Sequence, residues 1–359
     1  MSAIETSQST DPAGPTRPAG DPVVVHAAQY PSAIQRYLAR HRDAKSTGAA
    51  LLIFIAMVIY GQVTYGAILQ PSTISNLLIN NSHLVILAVG LTFVILTGGI
   101  DLSVGAVIAF SSVAGMMLAQ AGWNPYLVVV IMVLIGSLIG LVSGCLIEFF
   151  DMQPFIATLS MMFLARGLAS TLSTVPERLD PGSPIKEISH QWKLIDGEKV
   201  NDFIVTPGVL VAALVVVVGL LVVHRTRFGR TVYAIGGSEP SANLMGLPVR
   251  RTKLSVYVIS GTLAAIGGVV YTSRLGSAQN ITGIGWELDA IAAVVIGGTL
   301  LTGGSGSIIG SVIGAFVLGL MNVLITRDGG IRPEMTTIIT GAILFVFVLL
   351  QRAIKGRRG

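Results

Sequence analysis

The sequence predicts an all-α integral membrane protein of about ten transmembrane helices, some short or broken, with both termini in the cytoplasm. Three observations predict it. Hydrophobic residues make up 52% of the 359 positions and charged ones 11%, with a mean hydropathy of +0.76; soluble domains carry about 25% charged residues. Apolar segments near 49–69, 78–97, 102–120, 126–147, 154–174, 204–223, 254–273, 287–302, 307–326 and 335–351 are long enough to approach or cross a bilayer. Of the 23 Lys and Arg, 15 fall in the N-terminal tail, one central loop and the C-terminal tail. Positive side chains resist translocation, so these three segments face the cytosol. Ten crossings from an inside start also return the chain inside, so parity and charge agree.

Residues 1–45 are rich in Ser, Thr, Pro, Ala and Gly and read as a disordered cytoplasmic tail. They contain no apolar stretch of the kind a cleaved signal peptide needs. Arg36, Arg40, Arg42 and Lys45 precede the first apolar segment and hold this end inside. The membrane domain is 46–352, and 353–359 is a short basic cytoplasmic tail. The net charge of +5 sits at membrane borders and forms no stripe, which excludes a nucleic-acid surface. Cys145 is the single cysteine and the five His are scattered, so neither a disulfide nor a metal-ligand motif is expected.

The chief outside loop is 175–203, with six acidic residues and four basic ones. It reads as solvated surface or as a rest for a binding protein. Two apolar segments, Leu84–Thr97 and Ala290–Leu301, are short and framed by glycine. One ends in Leu96-Thr97-Gly98-Gly99 and the other in Leu301-Thr302-Gly303-Gly304. Short, Gly-interrupted segments in corresponding halves point to broken helices around a transport site. Gly136, Gly140 and Gly144 repeat at intervals of four, as do Gly306, Gly310 and Gly314. Such faces let helix backbones approach closely in lipid.

Few ionisable residues lie in the apolar segments. Asp101, followed by Ser103, sits in the first glycine break; Arg166 lies deep in the fifth segment; Glu287 and Asp289 open the eighth. A charge at mid-bilayer costs about 2.5–3.5 kcal/mol on insertion scales, so each should face protein or a water-filled cavity. They are candidates either for a polar pathway taking a hydroxylated solute or for structure. In the structural reading Arg166 binds helix-end carbonyls, while Asp101 and Glu287 favour helix N-termini, where partial positive charge attracts anions. The sequence shows no chain of intramembrane carboxylates and histidines for proton pumping, and no selectivity-filter run.

The central loop 224–253 holds Arg225, Arg227, Arg230, Arg250, Arg251 and Lys253 against one acid, Glu239. Within it Ser238 is a plausible N-cap, Glu239 and Pro240 form a first turn, and Gly246 with Pro248 is a stop. A short helix is expected, with small Ser241, Ala242 and Gly246 on one face, Asn243 beside them, and Leu244 and Met245 protruding. The chain has no phosphate-binding G-x-x-x-x-G-K-[ST] run, so energy for active transport has to enter through a partner. This short helix is the place for that partner to dock.

Four blocks carry a family resemblance: AVGLTFVILTGGIDLSVGAVIAF (88–110), PFIATLSMMFLARGLA (154–169), RTRFGRTVYAIGGSEPSANLMGLPV (225–249) and ELDAIAAVVIGGTLLTGGSGSIIGSVIGA (287–315). The chain resembles the membrane permease subunits of ribose/xylose-type ABC sugar importers. SANLMG (241–246) and ITGAILFVFVLLQR (339–352) look most like a galactofuranose importer permease. The family's usual Gly-Asn-Glu reads Gly237-Ser238-Glu239 here. The resemblance implies a ten-helix permease used as a dimer, homo- or heteromeric, in a bacterial inner membrane. It implies a tandem-domain ABC ATPase that carries ATP and magnesium, and an extracytoplasmic sugar-binding protein. Ser238–Gly246 would be the coupling helix, and the chain itself would be no enzyme and hold no cofactor. An amino-acid or nucleoside ABC permease and an ion-coupled secondary carrier are the competing readings.

Overall fold

Four of the long helices begin on a proline, at Pro71, Pro125, Pro154 and Pro207. Proline has no N–H to leave unsatisfied in a first turn, and its fixed φ suits the helix. A computed structural model of the protein describes residues 42–179, 190–195 and 202–329, with helical positions at 335, 338–342, 345 and 349. In order the elements are α1 (Arg42–Tyr65), α2 (Pro71–Leu96), α3 (Val104–Gln120), α4 (Pro125–Phe149), α5 (Pro154–Leu172), β1 (Glu177–Arg178), β2 (Trp192–Ile195), β3 (Phe203–Val205), α6 (Pro207–Arg225), α7 (Arg227–Gly237), α8 (Glu239–Leu244), α9 (Val249–Leu275), β4 (Ser277–Ala278), α10 (Trp286–Ile296) and α11 (Ile308–Asp328). Among the described residues seven helices are long and apolar enough to cross a membrane, and α3 is a shorter apolar helix. Of the two segments expected to be short, only the second is: 287–302 is the half-length α10, whereas Leu84–Thr97 is the end of the 26-residue α2, whose start at Pro71 the polar Ser, Thr and Asn residues before Leu84 conceal. The tail before residue 42, the C-terminal tail and most of the crossing expected at 335–351 lie outside the described residues.

The contacts between helix ends fall into two sets. In one, Thr47 near the start of α1 meets Ser307 just before α11 at 3.0 Å, and Glu148 at the end of α4 meets Lys253 in α9 at 2.9 Å. In the other, Tyr65 donates to Asp328 at 3.1 Å and Arg327 donates to Thr73 at 2.9 Å. There Gln120 also donates to the Arg178 carbonyl at 3.0 Å. The exposed arginines of the central segment all belong to the first set, the end that charge assigns to the cytosol. The opposite end carries two small antiparallel pairings, β1 with β4 and β2 with β3. The described parts of the expected outside loop therefore include β1, β2 and the start of β3 rather than surface coil alone.

Helix α2 is the centre of the bundle. Its residues from Leu84 to Leu96 are all buried, as a helix that is apolar all round must be. Helix α9 runs along α4 at backbone contact. A Cβ at Gly136 would lie on the Gly261 carbonyl, and one at Gly140 on the Tyr257 carbonyl. Gly144 faces the Leu254 backbone. With no side chain between them the two helices gain dispersion contacts that a lipid tail cannot supply. The second glycine series divides. Gly310 and Gly314 on α11 face the carbonyls of Gly297, which caps α10, and of Ala293 within it. Gly306 does not share that face: it precedes the N-cap Ser307, with φ +155° in the turn packed on Thr299.

Two boundaries in the central segment differ from expectation. Helix α9 begins at Val249, so Arg250, Arg251 and Lys253 occupy its first two turns rather than a loop. An additional helix, α7, lies before α8. Its buried Val232 and Ile235, with part-buried Phe228, follow helical spacing, a signal the surrounding charge obscures.

Candidate functional site

Polar side chains start both short helices of the central segment. Thr226 accepts from the Gly229 N–H at 3.1 Å and caps α7. Ser238 accepts from the Ser241 N–H at 3.4 Å and caps α8, and its hydroxyl lies 2.9 Å from that of Ser241. Pro240 occupies the first turn, and Gly246 closes the helix with φ +72°. Leu244 is 90% exposed and Met245 65%. Ala242 does not share their surface. It is fully buried with Ile235 and Val249, so it fastens α8 to the bundle instead of offering a small-residue face. Ser241, Asn243 and Gly246 stay exposed.

Lys253 ties this element to the membrane helices. Its ammonium lies 2.9 Å from Glu148 at the end of α4 and 3.0 Å from Glu239 at the start of α8. The three charges join α4, α8 and α9 in one cluster. Neither Lys253 nor Glu148 stands out in the sequence, because their separation is long and each resembles an ordinary border charge.

The two Thr-Gly-Gly breaks, some 200 residues apart, lie against each other. The Gly304 N–H donates to the Leu96 carbonyl at 2.9 Å. Gly98 and Gly303 hold φ of +83° and +79°, the left-handed region that favours glycine, and they are in contact. Gly236 of α7 packs on Leu96, Gly303 and Gly304 with no room for a Cβ, and Tyr233 donates to the Gly306 carbonyl at 2.8 Å. Thus α7, which leads directly into α8, rests on both breaks together.

Asp101 is fully buried at the start of α3. Its Oδ1 accepts from the Ser103 N–H at 2.9 Å and the Ser103 hydroxyl at 2.6 Å; its Oδ2 accepts from Ser260 of α9 at 2.7 Å. The carboxylate thus holds the first turn before α3 and anchors it to α9. Arg166 donates to the Asn280 and Thr282 carbonyls at 2.7 and 2.6 Å. It clamps the segment between α9 and α10, a binding of backbone carbonyls as in its structural reading. Glu287 stands in the first turn of α10, but no side chain caps that helix and Glu287 Oε2 is buried without a hydrogen-bond partner. Asp289, one turn in, lines a cavity of about 410 Å³ between α2, α10 and α11. The five candidates therefore separate: Asp101 and Ser103 brace the turn after the first break, Arg166 clamps the segment between α9 and α10, and Glu287 and Asp289 lie at the head of α10.

The family model described as "Branched-chain amino acid transport system / permease component" matches residues 73–348. The chain belongs to this permease family. The matched region takes in both glycine breaks, α7, α8 and the cavity. The fructose import permease protein FruG of Bifidobacterium longum is 53% identical over 314 residues, 87% of this chain and 92% of that one. The inner membrane ABC transporter permease protein YjfF of Escherichia coli is 40% identical over 305 residues, covering 84% and 90%. The ribose import permease protein RbsC of Bacillus subtilis is 39% identical over 308 residues, covering 85% and 92%. With its apolar helices, this permease is a multi-pass protein of the bacterial plasma membrane.

Proposed function

We propose that the protein is the membrane permease of an ABC importer for a monosaccharide. In this reading an ATPase subunit holds ATP and magnesium, and a binding protein delivers the sugar outside. The observation that carries it is the seating of α7 and α8. Leu244 and Met245 project from a helix fixed to α4 and α9 through Lys253, and α7 touches both helix breaks at once. A push on α8 from the cytosol reaches both breaks through rigid backbone contacts, with no flexible loop between. The exposed Arg225, Arg227, Arg230, Arg250 and Arg251 suit an acidic surface on the ATPase. A tandem-domain ATPase and a dimer of permeases, paired with a second copy or a similar chain, complete the assembly.

Fructose and ribose, the sugars named for its relatives, stand beside galactofuranose as candidate cargo. The family model's description keeps amino acids as the competing class. The test is uptake in cells that hold the permease, its ATPase and its binding protein. Leu244→Asp should abolish uptake and release the ATPase on purification while the permease still inserts. Retained co-purification and uptake would refute the docking role. Uptake that survives ATP depletion and collapses with an uncoupler would refute the ABC reading.

A further inference from the structure

Two helices near the strand-bearing end carry amides where lipid-facing residues are the norm. On α2, Thr73, Asn76 and Asn80 follow helical spacing; on α11, Gly319, Asn322 and Thr326 do the same. Asn76, Asn80 and Asn322 are exposed within the single chain, and of these Asn80 accepts a hydrogen bond from Arg274 through its side-chain oxygen. Amides facing hydrocarbon without partners are costly, so this side does not face lipid. The two stripes line the cavity of about 410 Å³ already described, together with His83, Trp286 and Asp289. From Thr73 to Leu84 the lining descends about 16 Å along α2, at ~1.5 Å per residue. Its lower lining includes the first turn of the half-helix α10.

The lining selects a ligand class. Asparagine offers a donor and an acceptor in one plane, matching the alternating demands of neighbouring hydroxyls. The Trp286 ring is held in a cluster with His83, 4.4 Å away, and Tyr271, 4.6 Å away, rings that also touch each other, and it lines the cavity as the flat group on which the apolar face of a ring would stack. One carboxylate, Asp289, with Arg327 in the same lining, suits neither a bare cation nor an anion. An apolar solute would leave the amides unpaired. The volume falls within the usual range for small-molecule sites, ~300–1,000 Å³. Gly319 serves the same end: a Cβ there would strike the Asn81 amide, which is packed beside it with Nδ2 donating to the Leu77 carbonyl at 2.8 Å.

We infer that this cavity is a binding site within one permease chain for a neutral, polyhydroxylated ring of monosaccharide size, hydrogen-bonded by Asn76, Asn322 and Asp289 and stacked on Trp286. The inference rests on the monosaccharide reading and adds a site to it. The test uses the full-length protein in lipid nanodiscs. The chain has three Trp, so Trp123→Phe with Trp192→Phe leaves Trp286 as sole reporter. D-fructose and D-ribose are titrated against its emission, with L-leucine as the comparison. A saturable change is expected with one of the sugars and none with leucine. Asn322→Leu and, separately, Asn76→Leu should each weaken the apparent Kd about tenfold, the effect of losing one hydrogen bond to the ring. No saturable change with either sugar, or unchanged affinity in both leucine variants, would overturn the site. Uptake by the assembled importer is measured alongside. Sugar uptake without a Trp286 response rejects the cavity and leaves the monosaccharide reading standing. Leucine uptake with a leucine response rejects both.

Discussion

Lys253→Met tests the central cluster most directly, because the structure separates its two arms. Glu148 is 5% exposed at the side chain and Lys253 18%, whereas Glu239 is 43% exposed. Removing the ammonium strands a buried carboxylate at Glu148. Breaking a buried pair in this way costs about 3–5 kcal/mol. The Glu239 arm is half in water and contributes roughly 0.2–1 kcal/mol. Lys253→Met should therefore lower the melting temperature of the purified permease by several degrees, whereas Glu239→Gln should scarcely move it. Adding Glu148→Gln to Lys253→Met removes the stranded charge and should recover most of the loss. Function is expected to divide differently. Uptake should fall in Lys253→Met and stay low in the double variant, because α8 has lost its tie in both. The assays are thermal unfolding in detergent and uptake by the assembled importer. An unchanged melting temperature in Lys253→Met, or a double variant less stable than the single one, would refute the assignment of energy to the Glu148 arm.

Other outcomes follow from single contacts. Gly140→Leu puts a side chain against the Tyr257 carbonyl, which helix α9 cannot move aside; the protein should be destabilised by more than the ~1–3 kcal/mol usual for overpacking, read as loss of folded yield. Ser260→Ala takes one hydrogen bond from the buried Asp101 carboxylate, and the loss should be about 1.5–3 kcal/mol in thermal unfolding, as for other bonds to charged groups. Gly304→Val combines a φ of +74° with contact to the Gly236 backbone; uptake should be lost while the ATPase still co-purifies, because α8 itself is untouched. Arg166→Met removes both donors to the Asn280 and Thr282 carbonyls, and hydrogen exchange between α9 and α10 should quicken.

Much of the framework is written in local sequence. Pro71, Pro125, Pro154 and Pro207 mark helix starts, and Ser238 with Gly246 brackets α8, because caps and turns depend on residues a few positions apart. The glycine interval at 136, 140 and 144 announces a close helix contact but not that α9 is the partner. Asp101 and Arg166 are conspicuous as charges in apolar runs; Ser260 and the Asn280 and Thr282 carbonyls that satisfy them are not. The α2 amides go unremarked because Asn76, Asn80 and Asn81 lie in and beside an apolar segment, and only Asn322 across the bundle makes them a cavity wall.

By itself the sequence determined the membrane class, the bracketing of α8 by Ser238 and Gly246, and the side of the membrane that holds the basic end, since hydropathy, capping and charge act over short stretches of chain. It also held both Thr-Gly-Gly breaks in plain view. Only the tertiary structure decided that the breaks touch, that α7 lies across both, that Ala242 turns inward, and that Lys253 joins three helices. Those facts depend on which helices pack together, and in lipid that choice rests on shape and on pairing of polar groups distant in the chain.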